Sequence, residues 1–192
     1  IAFVDWDVHH GNGTEAIFLS DPRAYTISIH QDNCFPPNSG GVDQIGIGDG
    51  KGTNLNIPLP PGSGESVYLA AFDRIVKPAL EVFKPQLIIV PCGFDAGFHD
   101  PLGRMMLTSH SFRRLTARIM EIASKLCEGK LVLTHEGGYS PHTVPFHCLA
   151  VIEQLSGITS EVVDPFSPPV IPESDRPLLD HQETAIMKAE NL

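Results

Sequence analysis

The chain is short of positive charge. It carries 13 Lys and Arg against 23 Asp and Glu, a formal net charge of −10 over 192 residues. That balance argues against nonspecific nucleic-acid binding through phosphates. A cationic partner is favoured, though only weakly, because acidic soluble proteins are common. No apolar run approaches the ~18 residues a membrane-spanning helix needs, so no membrane span is expected. The start lacks the pattern of a secretory signal. The four cysteines, Cys34, Cys92, Cys127 and Cys148, form no Cys-x-x-Cys pair. A structural zinc knot is therefore not expected, and reduced thiols in a cytoplasmic protein are. There is no internal repeat and no low-complexity tract. There is also no initial Met, and the chain opens directly in what reads as a core strand. The expectation is that residues 1–192 are the C-terminal portion of a single domain whose upstream part is missing. Hydrophobic content of 42% and charged content of 19% are ordinary for a globular domain with a sizeable core.

The opening stretch is the most informative. Ile1-Ala2-Phe3-Val4 is apolar and β-favouring, and it feeds into Asp5-Trp6-Asp7-Val8-His9-His10-Gly11-Asn12-Gly13. Alternation along a strand predicts Asp5, Asp7 and His9 on one face at its C-terminal end. Two carboxylates and an imidazole brought together are costly without a cation between them. The oxygen and nitrogen donors suit zinc with an open position, or manganese or iron(II).

Further along, residues 14–19 read as a short helix and 24–30 as a second strand. Residues 31–53 form a long turn-rich loop, of the length that is usually functional or disordered. A short strand follows at 54–58. A helix is expected over 65–83, kinked or broken at Pro78. Residues 86–91 read as a strand buried on both faces. The apolar stripe Phe112, Leu115, Ile119, Ile122, Ala123 and Leu126 predicts a long helix over 108–128. A second buried strand at 130–134 and a helix over 143–155 come next. A proline-rich crossing segment over 161–177 and a last helix over 178–189 complete the pattern. Strands alternating with helices predict a parallel α/β sheet, with the site beyond the carboxyl ends of its strands. Polar residues stand at four such ends: the aspartates and His9; Ser28 and His30; Cys92-Gly93-Phe94-Asp95; and His135-Glu136-Gly137-Gly138-Tyr139.

Three of these motifs, in order, carry a resemblance. They are Asp5 to Gly13; Cys92-Gly93-Phe94-Asp95 with His99-Asp100-Pro101-Leu102-Gly103; and Glu136-Gly137-Gly138-Tyr139. The chain resembles the zinc-dependent histone deacetylase family, above all class II-type and bacterial deacetylase-like amidohydrolases, over residues 1 to about 157. The resemblance implies an arginase/deacetylase-like three-layer α/β/α fold with a mainly parallel sheet. It implies a hydrolase that removes acetyl or acyl groups from the ε-amine of lysine or a related amine. Asp7, His9 and Asp95 are then the zinc ligands, and Tyr139 steadies the oxyanion.

Asp5, Ser28 and Ile29, with the backbone of Asp7 and His9, would hold a structural potassium ion. A second potassium site would use the carbonyls of Phe18, Asp21, Ala24 and Thr53. Phe35, Leu102 and Gly138 would line the substrate tunnel, and a leucine at 102 disfavours a polyamine. Asp100 is expected to order its loop, Glu136 to orient the Tyr139 loop, and His10, His142 and His147 to be structural. The implied partner is an acyl-lysine peptide or protein, or a small acylated amine, and a homo-oligomer is compatible with it. The family's general base, a His-His pair, lies upstream of the zinc-binding strand, and His9-His10 is not that pair. This chain alone is therefore expected to be inactive. Two other readings stay open: a ureohydrolase-like enzyme with two manganese ions, and a non-catalytic acyl-lysine-binding module.

Overall fold

A computed structural model of the protein describes residues 1–168 and 177–191. Its strands are β1 (Ala2–Asp5), β2 (Tyr25–Gln31), β3 (Asn54–Leu59), β4 (Ile88–Cys92) and β5 (Leu131–His135). Its helices are α1 (Asn12–Phe18), α2 (Glu65–Ala71), α3 (Lys77–Phe83), α4 (Ser109–Cys127), α5 (Val144–Ser156) and α6 (Asp180–Glu190). All strands pair in parallel, in the order β3-β2-β1-β4-β5. The chain winds outward from β1 through β2 and β3, then returns to the other side of β1 for β4 and β5. The order reverses between β1 and β4, the place where open parallel sheets form their ligand crevice.

The sheet has two unlike faces. Val4, Ile27, Ile29, Ile57, Ile88 and Val90 are buried against Trp6, Tyr68, Phe72 and Phe112. On the opposite face Asp5, Thr26, Ser28, His30, Asn54 and Asn56 are buried as well. Most of that polar layer is satisfied locally, although Asn56 Oδ1 is buried without a hydrogen-bond partner. Glu15 on α1 accepts from Asn54 Nδ2 at 2.7 Å and Asn56 Nδ2 at 2.9 Å. Phe18, also on α1, stacks on Phe3 at 5.1 Å between ring centroids. Helices thus lie on both faces of the parallel sheet, as expected for the α/β class.

Local sequence explains most boundaries. The Thr108 hydroxyl accepts from the Ser111 N–H while the Ser111 hydroxyl accepts from the Thr108 N–H, a reciprocal cap that starts α4. Glu128 and Gly129 then turn left-handed and end it. The expected helix over 65–83 is divided, but one turn before Pro78. Residues Phe72–Val76 form a π-turn, closed by Lys77 N–H to the Phe72 carbonyl. A proline ring at 78 would strike the carbonyl four residues back in a regular helix, and widening the preceding turn relieves that clash.

The strand at 131–135 departs from expectation. It is half exposed, as the last strand of the sheet formed by the described residues, and Val132 is 47% exposed. Residues 161–168 and 177–179 are irregular, as the prolines predict, and the rest of that segment lies outside the described residues. Among the described residues no helix is long and apolar enough to cross a membrane.

Candidate active site

β1 stops at Asp5, so pleat alternation does not place Asp7 and His9. A run of side-chain turns does. Asp5 Oδ1 accepts from the Asp7 N–H at 2.9 Å, and Asp7 Oδ1 accepts from the His9 N–H at 2.9 Å. Each aspartate thereby folds the backbone two residues on, a short-range habit of this residue type. Asp95 arrives from the loop after β4, and its Oδ1 accepts from the Val8 N–H at 2.7 Å. This bond between the two chain segments closes the crevice between β1 and β4.

The result is a triangle of donors. His9 Nδ1 lies 3.0 Å from Asp7 Oδ1 and 3.0 Å from Asp95 Oδ2. Donor atoms of Asp7, His9 and Asp95 all lie within 4.8 Å of one another, and these residues form the one such cluster among the described residues. The single Nδ1 hydrogen serves Asp7, which leaves Asp95 Oδ2 buried without a hydrogen-bond donor.

Electrostatics point the same way. Burial raises the Asp7 carboxyl, but hydrogen bonds from His9 and the Gly137 N–H outweigh it and hold Asp7 low. Burial and the Asp7 charge push Asp95 up. The two adjoining carboxylates, Asp7 first and Asp95 second, raise His9 to about 10, so a proton stands where a cation would be welcome. The orphaned oxygen, the two carboxylates and the imidazole fit a divalent ion with nitrogen and oxygen ligands. Three donors suit one ion rather than two.

Gly93 and Gly137 make room for this triangle. A Cβ on Gly93 would fall 2.3 Å from Asp7 Oδ2, and one on Gly137 would fall 2.1 Å from Asp95 Oδ2. The Gly137 N–H donates to Asp7 Oδ2 at 2.8 Å, and its carbonyl accepts from Phe94 N–H at 2.8 Å. Gly138, at φ +138°, turns the chain so that Tyr139 faces the triangle, with its ring 6.3 Å from that of His9. Burial, then the charges of Asp95, Asp7 and Asp100, raise the Tyr139 pKa, which keeps its phenol a donor at neutral pH.

In front of the triangle opens a cavity of about 520 Å³ lined by His9, Asn12, Cys34, Phe35, Leu102 and Tyr139. Phe35 is 61% exposed and meets the His9 ring edge-on at 6.0 Å, so it lines this cavity rather than filling the core. Gly138 lies behind Tyr139, against Phe94 and Val144. The loop that carries Phe35 is anchored by His10, whose N–H donates to the Phe35 carbonyl at 3.0 Å. The His10 ring lies between Ser39 Oγ at 3.0 Å and Glu15 Oε2 at 3.2 Å.

Asp5 and Ser28, expected at a potassium site, are register partners on adjacent strands. Asp5 is buried, and desolvation, aided by the charges of Asp7, Glu136 and Asp95, holds its carboxyl well above the usual range. Such a group benefits from a nearby cation. Ile29, next on β2, is fully buried. At the second expected site, the carbonyls of Phe18, Asp21 and Thr53 accept from the N–H groups of Asp21, Ala24 and Thr26.

Residues 1–155 match the histone deacetylase domain. The chain is 55% identical over 165 residues to a histone deacetylase-like amidohydrolase of Pseudomonas aeruginosa, covering 86% of this chain and 43% of that one. The chain belongs to the histone deacetylase family. A probable deacetylase of Archaeoglobus fulgidus is 40% identical over 158 residues, covering 82% of this chain and 44% of the relative. The crystal structure of the HDA15 HD domain superposes with a TM-score of 0.81 at 32% identity, over 99% of this chain and 49% of that one. The fold is therefore that of histone deacetylase domains, and the chain spans less than half the length of these curated relatives.

Within this family frame, one residue differs from expectation and another does more than was expected of it. Glu136 is exposed, and it accepts from the Thr134 hydroxyl at 2.8 Å instead of orienting Tyr139. Asp100 holds the Tyr139 backbone, as well as its own loop. Nothing in the local sequence marks this link, because it joins loops 39 residues apart. His147 is structural, as expected. Its ring is buried against Phe94 and Phe112, and burial depresses its pKa to about 4.

Proposed function

We propose that the full-length protein is a zinc-dependent amidohydrolase that removes acetyl or other acyl groups from the ε-amine of lysine or of a related amine. The observation that carries this reading is the donor triangle of Asp7, His9 and Asp95, whose His9 lines one open cavity together with Tyr139. Asp7, His9 and Asp95 would hold the ion. Bound zinc supplies Lewis acidity, polarising the amide carbonyl and making water a better nucleophile. Tyr139 donates its phenolic hydrogen to the carbonyl oxygen as negative charge gathers there. Phe35 and Leu102 flank the methylene stem of the substrate, and the absence of a side chain at Gly138 lets Tyr139 approach. Asp5, Ser28 and Ile29, with the backbone of Asp7 and His9, would hold a potassium ion, whose charge would steady the Asp7–His9 turns. The general base is assigned to no residue of this chain. The substrate is an acylated lysine in a peptide or protein, and the unpaired cysteines suit a cytoplasmic setting.

The test uses the full-length protein and an acetyl-lysine peptide. Tyr139→Phe should lower kcat by about 100- to 1,000-fold with metal content retained, and Asp7→Asn should lose the metal. Unchanged hydrolysis in either variant refutes the proposal. Peptide binding without turnover in the wild type supports the non-catalytic reading instead.

A further inference from the structure

We propose that Asp100 is a positioning residue for Tyr139, fixing the phenol over the metal triangle and tying it to the opposite rim of the substrate cavity. The inference rests on the role given to Tyr139 above. Tyr139 is poorly fixed by its own packing: its side chain is 48% exposed, and its ring meets His9 only at an edge. The loop that carries it is pinned at Gly137 by the Asp7 carboxylate and by the Phe94 N–H. Both pins lie before Gly138. That residue sits at φ +138°, a conformation other residues rarely adopt, and it acts as a swivel. Pins upstream of a swivel do not by themselves fix the residue beyond it.

Beyond the swivel the chain is held at Ser140, which is buried and whose carbonyl accepts from the Val144 N–H at 3.1 Å, and the N–H of Tyr139 itself is held by Asp100. Its Oδ2 accepts from the Tyr139 N–H at 2.7 Å. Its Oδ1 accepts from the N–H groups of Leu102 at 2.9 Å and Gly103 at 3.4 Å. The carboxylate is buried, so each of these bonds is charge-assisted and shielded from competing water. One side chain thus sets the distance between Tyr139, which meets the carbonyl, and Leu102, which meets the stem. Asparagine at this position keeps the volume but has one acceptor oxygen. That oxygen would go to the Leu102 and Gly103 pair, and the amide NH₂ would then face the Tyr139 N–H, donor against donor.

In the full-length protein Asp100→Asn should lower kcat by about 10- to 100-fold, with KM for an acetyl-lysine peptide changed about 3-fold or less. Metal content should stay at the wild-type level. The same substitution made in a Tyr139→Phe background should cost no more than about 3-fold, since the group it positions is gone. A full, additive loss in that background, or loss of metal, overturns the inference while leaving Tyr139 in its role. An unchanged rate in Tyr139→Phe alone overturns the functional reading, and this inference with it. Amide exchange in the wild type gives an answer that does not depend on the variant folding. The Tyr139 N–H should exchange as slowly as that of Leu102, and rapid exchange at Tyr139 overturns the claim.

Discussion

Replacing Gly137 with alanine tests the metal triangle without touching any of its members. A methyl group there would lie 2.1 Å from Asp95 Oδ2 and 2.6 Å from Asp7 Oδ2. Ordinary contact begins near 3.4 Å, so something must retreat by more than an ångström. Asp95 has nowhere to go, being fully buried with its other oxygen held by the Val8 N–H. The loop can retreat only by giving up the Gly137 bonds to Asp7 and Phe94. Metal sites tolerate ligand displacements of about 0.2 Å. Loss of a group that orients a ligand costs about 10- to 100-fold in metal affinity, and a direct clash with two ligand oxygens should reach the upper end. Overpacking should cost the metal-free fold about 1–3 kcal/mol. Titration of zinc into the metal-free variant against a competing chelator gives the affinity, and thermal unfolding gives the fold. Gly138→Ala serves as the contrast. Its methyl would meet Phe94 Cβ at 3.0 Å and Val144 Cγ2 at 3.1 Å, with no ligand oxygen nearby. It should impair turnover and leave zinc affinity near wild type. Wild-type zinc affinity in Gly137→Ala would refute the placement of Asp7 and Asp95 around one ion.

Three more outcomes are expected of the same structure. Phe35→Ala should raise KM by about 10-fold with kcat little changed, because it removes apolar contact with the substrate stem; steady-state kinetics on an acetyl-lysine peptide measures it. The folded protein keeps His147 neutral down to about pH 4, whereas the unfolded chain takes up its proton near pH 6.5. Its contribution to stability should therefore be full above about 6.5 and fall towards 4, by up to about 3 kcal/mol; His147→Leu should reduce the acid-side fall in urea titrations without abolishing it, since burial also lowers His30 to about 4. Arg74 donates to both oxygens of Glu183 and to Glu190, clamping α6 to the π-turn. Arg74→Ala should cost about 1 kcal/mol and speed amide exchange in α6 before the rest of the molecule.

Much of the architecture was legible because burial writes a period into the chain. The stripe from Phe112 to Ala123 required a helix, and the run from Ile88 to Val90 a strand. Polar residues at four strand ends located the crevice before any contact was known. The features that stayed hidden depend on neighbours remote in sequence. The aspartates alternate as a strand would, yet side-chain turns set their geometry. Glu136 stands beside the Gly-Gly-Tyr turn, but Asp100, from another loop, holds it. Pro78 foretold an irregularity, and its position one turn earlier is set by the carbonyl the ring would strike.

The seam between β1 and β4 also sets an order of events as the chain leaves the ribosome. β1, β2 and β3 lie within residues 2–59, are made before β4, and can pair as they emerge. Asp95 is still to come, and the bond it makes to Val8 spans 87 positions. At about 5–20 residues per second, Asp7 and His9 wait several seconds beside an unfilled place in the sheet. Metal captured in that interval would have two protein ligands and be readily lost. With Asp7, His9 and Asp95 as the proposed ligands, an ion would be retained only after β4 has closed on β1, so retention of metal would record that the seam has formed correctly.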